Sequence, residues 1–200
     1  MVNRPQLNWG RFSVLFNVIK MMIKPIKIHD KQFEVYINKN RISKAVDLLA
    51  KQLHKELKGE VPIFLSILNG AFVFAADFVR AYPGECEISF IKLASYEKTK
   101  STGKVKQLLG INEDLTNRTV IVLEDIIDTG ETLQKTHEIL DGENLKDLKI
   151  ATLFLKPEVY KKELHIDYVA FEIPDTFIVG YGLDYDGLGR NLPDIYKQLN

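Results

Sequence analysis

The chain has 200 residues, which is long enough for one well-buried α/β domain and short for two. Basic and acidic residues balance at 27 each, so no overall field attracts nucleic acid or an anionic membrane surface. The single cysteine, Cys86, excludes an intramolecular disulfide and favours a reducing compartment such as the cytoplasm, and no apolar run is long enough to cross a bilayer.

The first residues differ in character from the rest of the chain. Residues 12–19 form a short apolar patch that Asn17 interrupts, and no small-residue cleavage site follows, which argues against a signal peptide. The sequence from Met22 onward looks like a natural start. We therefore expect residues 1–21 to be an N-terminal extension without a part in the chemistry, and residues 22–200 to form one domain.

Strand and helix patterns alternate through the first half of the chain. They predict a strand at residues 33–37 and a helix at 41–57, then a strand at 62–68 and a helix at 71–82. Residues 86–96 and 105–111 are predicted to be the two arms of a long hairpin. The turn at Asn69 and Gly70 is a candidate anion site, because glycine lets the backbone approach a ligand closely. The polar hairpin tip, residues 97–104, is typical of a solvated loop, but beside a phosphate site it could close as a lid.

Residues 119–133, TVIVLEDIIDTGETL, are the most informative stretch. They begin with an apolar run typical of a central parallel strand and continue through Glu124 and Asp125 into a tight turn at Asp128. A helix is predicted at residues 131–140. Asp128 could be only a helix N-cap and the acid pair an ordinary polar strand end, but the complete string weighs against that interpretation.

The turn combines groups suited to two different ligands. Backbone N–H groups of residues 128–132, with the Thr129 and Thr132 hydroxyls, lie at a helix N-terminus, where free donors and the helix dipole favour a phosphate. Glu124 and Asp125 would repel that phosphate, so they must serve something else. Adjacent acids suit a sugar diol or a magnesium ion, and the whole turn therefore predicts a site for a phosphorylated ribose.

The second half continues the alternation of strands and helices. Residues 149–155 predict a buried strand that ends at Lys156, and residues 168–173 and 177–181 predict two short strands. The tail contains Asp184 and Arg190. The whole pattern predicts a mostly parallel sheet with helices on both faces.

Several segments resemble one enzyme family. Residues 124–132, EDIIDTGET, match the phosphoribosyl diphosphate signature of type I phosphoribosyltransferases in full. Four further segments resemble the hypoxanthine (hypoxanthine-guanine) phosphoribosyltransferases, and they are residues 68–70, 95–96 with 101–103, 154–156 and 171–185. The resemblance implies the type I fold with a small hood and a flexible hairpin lid, and a homodimer or homotetramer.

The resemblance also implies an activity. It predicts transfer of a 5-phosphoribosyl group from phosphoribosyl diphosphate to N9 of hypoxanthine or guanine, with Mg²⁺ as cofactor, giving IMP or GMP and pyrophosphate. Two alternatives stay open: a transferase preferring xanthine or guanine, and a non-catalytic regulator that senses the diphosphate and binds nucleic acid. Neutral charge and the lack of an appended DNA-binding segment weigh against the regulator.

Residue roles follow from the same resemblance. Asp128 would hydrogen-bond N7 of the base and take or share its proton as N9 attacks. Lys156 carries donors only, so it would pair with an oxygen at C6 and disfavour adenine. Phe177 would stack on the base, and the Ile178 carbonyl would accept from a 2-amino group.

The other predicted contacts concern the donor. Asp184 would bind magnesium together with Glu124 and Asp125. The remaining substrate contacts are Asn69, Gly70, Ser95, Tyr96, Glu124, Asp125, Ile126, Ile127, Thr129, Gly130, Glu131, Thr132 and Arg190. Asn69 departs from the lysine common in animal enzymes, so a backbone role with a cis Leu68–Asn69 bond is retained while any salt link by that lysine is lost.

Overall fold

A computed structural model of the chain describes residues 24–93, 107–109, 111 and 113–199. The predicted extension at residues 1–21, the Ser95 and Tyr96 contacts and the predicted lid at residues 97–104 lie outside these ranges. They stay predictions.

The described residues form ten strands and three helices. In chain order they are β1 Ile26–Ile28, β2 Lys31–Ile37, α1 Lys39–Leu57, β3 Ile63–Leu68, α2 Phe72–Ala81, β4 Glu87–Leu93, β5 Gln107–Leu109, β6 Thr119–Ile127, α3 Glu131–Leu140, β7 Asp147–Leu155, β8 Tyr168–Glu172, β9 Ile178–Val179 and β10 Ile195–Gln198. No helix in this described part of the chain is long and apolar enough to span a membrane.

The main sheet has the strand order β5-β4-β3-β6-β7-β8, with β5 antiparallel to β4 and the other neighbours parallel. Alternate side chains of its central strands face opposite layers. Phe64 and Leu123 pack in the core that contains α1 and α2, whereas Leu65 and Val122 pack in the core that contains α3. The predicted parallel sheet with helices on both faces is thus confirmed, because both faces are apolar enough to bury helices.

A second sheet forms a small hood, with the order β1-β2-β10-β9 and antiparallel pairs throughout. It contains the predicted strands at residues 33–37 and 177–181, and it adds β1 and β10, which the sequence analysis did not predict. The strand predicted to reach Tyr181 ends at Val179, because Gly180 turns the chain with φ 104° and lies against Asp194. A Cβ at Gly180 would lie 2.1 Å from the Asp194 carbonyl oxygen.

Strand β6 is longer than predicted, and its extra length shapes the site. It continues past Leu123 to Ile127 because β7 stays paired with it as far as Leu155. On its other side, pairing with β3 stops at Leu123. β3 and β6 therefore separate at Glu124, whereas β6 and β7 stay paired.

Candidate active site

The candidate site lies at the topological switch point of the main sheet, between β3 and β6. β4 and β6 flank β3 on opposite sides, and the crevice at the carboxyl ends of strands at such a switch point is where open α/β sheets bind ligands. A cleft of about 290 Å³ lies there, and its lining includes Leu68, Gly70, Glu124, Asp125, Asp184 and Arg190. The structure thus brings together acids and turns predicted from three separate segments.

The turn between β6 and α3 forms a second hollow of about 240 Å³, lined by residues 124–133. Gly130 has φ 82°, and a Cβ on it would lie 2.6 Å from the Tyr160 ring, so only glycine fits. The Gln134 N–H donates to the Gly130 carbonyl at 2.8 Å, which leaves earlier N–H groups of the turn without helical acceptors. The Glu131 carboxylate forms an ion pair with Lys162, which compensates its negative charge.

Two acids near the end of β6 are buried. Glu124 and Asp125 are each 7% exposed, and Glu124 Oε2 has no hydrogen-bond partner among the described residues. Burial raises the pKa of Glu124 well above its usual range, and the charge of Asp125 adds to the rise. Burial also raises the pKa of Asp125 to about 6, against backbone hydrogen bonds and Arg190, which lower it. Such acids suit a ligand that brings hydroxyl donors or a metal ion.

Asp184 and Arg190, predicted to bind different ions, are paired with each other. Arg190 Nη2 lies 2.6 Å from Asp184 Oδ1, and Arg190 Nη1 donates to the Gly182 carbonyl at 2.7 Å. The Gly187 N–H donates to Asp184 Oδ2. No group of three or more acidic, histidine or cysteine residues in the described ranges has metal-site geometry. A magnesium ion would therefore need oxygen ligands from the substrate as well.

A buried lysine joins the β6 turn to the tail. Lys156 Nζ lies 2.9 Å from Asp128 Oδ2 and 2.9 Å from Asp175 Oδ1, while its side chain is 7% exposed. Its N–H donates to the Ile127 carbonyl, which places it beside Asp128. Burial alone would lower the pKa of Lys156, but the hydrogen bonds to Asp175 and Asp128 outweigh burial and raise it. The ammonium stays charged at neutral pH.

Phe177 and Ile178 lie at the free edge of the hood. Phe177 is 41% exposed, and Tyr185 packs edge to face against it with ring centroids 5.6 Å apart. The Gln198 N–H donates to the Phe177 carbonyl, so in this antiparallel pair the backbone groups of Ile178 point away from β10. Because β9 is the outer strand of this sheet, the Ile178 carbonyl faces away from the paired strand, and its contact with a 2-amino group stays a prediction.

Comparisons with known proteins agree with this geometry. The family described as "Phosphoribosyl transferase domain" matches residues 34–186. The chain belongs to the phosphoribosyltransferase family. It is 37% identical to a hypoxanthine-guanine phosphoribosyltransferase of Aquifex aeolicus, over 85% of this chain and 97% of that protein. It is 41% identical to a hypoxanthine phosphoribosyltransferase of Buchnera aphidicola, over 83% and 96%.

Solved structures give the same picture. A hypoxanthine-guanine phosphoribosyltransferase from Bacillus anthracis superposes with a TM-score of 0.77 at 42% identity, covering 82% of this chain and 98% of that one. A hypoxanthine phosphoribosyltransferase from Staphylococcus aureus superposes with a TM-score of 0.78 at 33% identity, covering 91% and 95%. The predicted family resemblance is confirmed.

Sequence reasoning missed one residue of this phosphoribosyltransferase site. Asp175 was part of the matching tail but was not predicted as a contact, although it shares the Lys156 ammonium with Asp128. Lys156 ends a strand that the sequence predicts to be buried, and a buried lysine requires a compensating charge. The sequence therefore indicated that Lys156 needs an acidic partner. Choosing Asp175 among the acids of the tail required the tertiary structure.

The loop after β3 fits closely against Asp125. The Leu68–Asn69 peptide bond is cis, as predicted, and Asn69 is exposed. A Cβ added at Gly70 would lie 1.8 Å from Asp125 Oδ2 and 2.6 Å from its Cγ. Asp125 is buried and cannot simply swing away, so the loop and the acid hold each other in place.

We expect Gly70→Ala to lower kcat/KM by about tenfold or more and to destabilise the fold by about 1–3 kcal/mol, because the methyl group displaces Asp125. Steady-state kinetics with the phosphoribosyl donor and thermal unfolding measure both effects. The control is Gly142→Ala, where an added Cβ meets nothing within 4 Å. Equal activity of the Gly70 variant and the control would contradict the close fit.

Glu124→Gln should stabilise the magnesium-free protein at pH 7. Since the Glu124 pKa is raised in the folded state, the stability it contributes is present at low pH and is lost as pH rises through the raised value. The neutral amide avoids that loss, and we expect a Tm gain of about 2–4 °C at pH 7 that disappears near about pH 4.

Thermal unfolding across pH checks this effect. Glu131→Gln is the control, because the Glu131 carboxylate is exposed and paired with Lys162. A Glu124 variant no more stable than the unmodified protein at pH 7 would show that folding does not raise the pKa of this carboxyl.

Proposed function

We propose that the protein is a magnesium-dependent purine-salvage enzyme that transfers 5-phosphoribosyl to N9 of a 6-oxopurine, hypoxanthine or guanine. One observation supports it above all others: the buried Lys156 ammonium lies 2.9 Å from the Asp128 carboxylate and 2.9 Å from that of Asp175, two residues before the exposed Phe177. A 6-oxopurine protonated at N7 presents an acceptor and a donor side by side. Adenine would turn an amino group toward the ammonium, leaving donors unpaired.

The base is activated through the same pair. As N9 attacks C1′, positive charge grows on the purine, and Asp128 takes or shares the N7 proton. The C1′–O bond breaks, and pyrophosphate leaves with its electron pair. Lys156 holds O6, so the base is oriented while Phe177 supports its face.

The donor is gripped by the β6 turn. The N–H groups of residues 128–132, with the Thr129 and Thr132 hydroxyls, would hold the 5′-phosphate at the helix N-terminus. Glu124 and Asp125 would accept from the ribose hydroxyls. Their negative charge would also stabilise the positive charge that develops on the ribose as pyrophosphate leaves.

The pyrophosphate would lie between the loop at Gly70 and the tail. Backbone donors of Asn69 and Gly70 and the guanidinium of Arg190 suit its oxygens. The buried, unpartnered Glu124 Oε2 and the carboxylates of Asp125 and Asp184 are oxygen ligands of the kind Mg²⁺ takes, and oxygens of the donor would complete its coordination. When bound, Mg²⁺ would neutralise charge on the leaving pyrophosphate.

Location and assembly are part of the same proposal. The lone Cys86 is free, which fits the cytoplasm. We infer a homodimer or homotetramer from the family, as for its members in general. Ser95 and Tyr96, with residues 97–104, would close over the reacting carbon and exclude water.

Pyrophosphate release with a panel of bases tests the function. At fixed donor and magnesium, we expect release with hypoxanthine and guanine, less with xanthine, and none above background with adenine. Xanthine is the rival substrate, but its 2-oxo group would face the Ile178 carbonyl, and two acceptors cannot pair. Turnover with adenine but with none of the 6-oxopurines would overturn the proposal. So would the absence of any turnover together with salt-dependent binding of DNA or RNA in a gel mobility-shift assay.

A further inference from the structure

The first residue of β2, directly after the turn from β1, contacts the aromatic ring that the proposed function assigns to the base. Lys31 Nζ lies 4.8 Å from the centroid of the Phe177 ring and 4.6 Å from that of the Tyr185 ring. Both distances are within the range of cation–π attraction. One half-buried ammonium therefore binds two rings that also pack on each other.

Neighbouring residues of the same turn hold Tyr185. The Tyr185 hydroxyl donates to Asp30 Oδ1 at 2.7 Å, and the His29 ring packs edge to face against Tyr185 with centroids 5.4 Å apart. His29 adopts φ 51° in this turn, and its ring nitrogen Nε2 lies 3.3 Å from the Asp186 carbonyl oxygen of the tail. Three consecutive residues thus contact Tyr185, and Lys31 alone of the three also contacts Phe177, which distinguishes it from an isolated surface lysine.

Phe177 needs such support, because the core does not hold it. Its ring is 41% exposed, and Phe33 contacts it only at a centroid distance of 6.1 Å. A free aromatic side chain loses rotational freedom when a ligand stacks on it, whereas a ring held in advance does not. The Lys31 ammonium lies 4.8 Å from the ring centroid, and the Phe177 side chain keeps enough exposed surface for a planar ligand to contact.

We propose that Lys31 is a positioning residue for the purine base, acting through Phe177. It fixes the ring from the hood side and draws π-electron density toward itself, which weakens repulsion between the ring and a stacked base. The inference rests on the proposed function, since Phe177 must be the base platform. It makes the hood turn part of the base site.

The test is a KM and kcat comparison of Lys31→Met. We expect KM for hypoxanthine and for guanine to rise about fivefold, with kcat and the donor KM unchanged. Lys31→Arg should restore most of the base affinity. The control is Lys197→Met, since Lys197 belongs to the same sheet and lies over Tyr36, at 5.6 Å, instead of Phe177. It should leave all constants unchanged, and thermal unfolding should show both methionine variants folded.

Phe177→Leu separates failure of this inference from failure of the proposed function. If Phe177→Leu raises the base KM and Lys31→Met adds nothing in that background, Lys31 acts through the ring. A base KM raised by Phe177→Leu but unchanged, or lowered, by Lys31→Met overturns the Lys31 inference alone. A base KM unaffected by Phe177→Leu overturns Phe177 as the base platform and with it the Lys31 inference, whereas the proposed function fails only if no 6-oxopurine is turned over.

Discussion

Asp128→Asn should lower kcat by about 100-fold or more while leaving donor affinity within about threefold. An amide cannot take the N7 proton, and when its oxygen accepts from Lys156 its N–H donors face the protonated N7 in place of an acceptor. The sugar of the phosphoribosyl donor is held by Glu124 and Asp125. Single-turnover kinetics and direct titration with phosphoribosyl diphosphate separate the chemical step from binding.

The control for this variant is Asp175→Asn. It removes a carboxylate bonded to the same ammonium at the same 2.9 Å, but outside the β6 turn. We expect its effect on kcat to be less than about tenfold. Turnover of the Asp128 variant equal to that of the unmodified enzyme would remove Asp128 from the mechanism.

Lys156→Met should lower kcat/KM for hypoxanthine by about 100-fold and narrow the discrimination between hypoxanthine and adenine. Methionine keeps much of the length but offers O6 no donor, and it no longer opposes the adenine amino group. The fold should survive, because Asp128 and Asp175 are 45% and 63% exposed and stay solvated without the lysine.

Competition between the two bases for the variant measures this change directly. Lys156→Arg is the control, since it keeps a charged donor and should retain rejection of adenine. If Lys156→Met rejects adenine as strongly as the unmodified enzyme does, base choice lies elsewhere in the site.

Much of the architecture was predictable from sequence because its signals are local. The apolar run of β6 and the string of acids, glycine and threonines that follows it determine a buried strand, a turn and a helix within residues 119–140. The family resemblance then related Lys156 and Phe177 to the base. These features depend on neighbours along the chain, which a sequence displays.

The remaining features depend on partners far apart in sequence. β1 and β10 are short, and they become strands by pairing with β2 and, for β10, also with β9. β6 extends beyond Leu123 because β7 stays beside it. The contacts of Asp175 and Lys31 join segments that only the fold brings together, so no spacing rule could find them.

In the proposed function, the turn between β6 and α3 binds the 5′-phosphate while Glu124 and Asp125 bind the adjacent ribose. A crystal structure of the enzyme with the product nucleotide IMP tests it most directly. We expect the 5′-phosphate on the N–H groups of residues 128–132, the ribose hydroxyls on Glu124 and Asp125, and the base between Lys156 and Phe177. A nucleotide whose phosphate lies away from Thr129 and Thr132, with Glu124 and Asp125 still without a ligand, would contradict it.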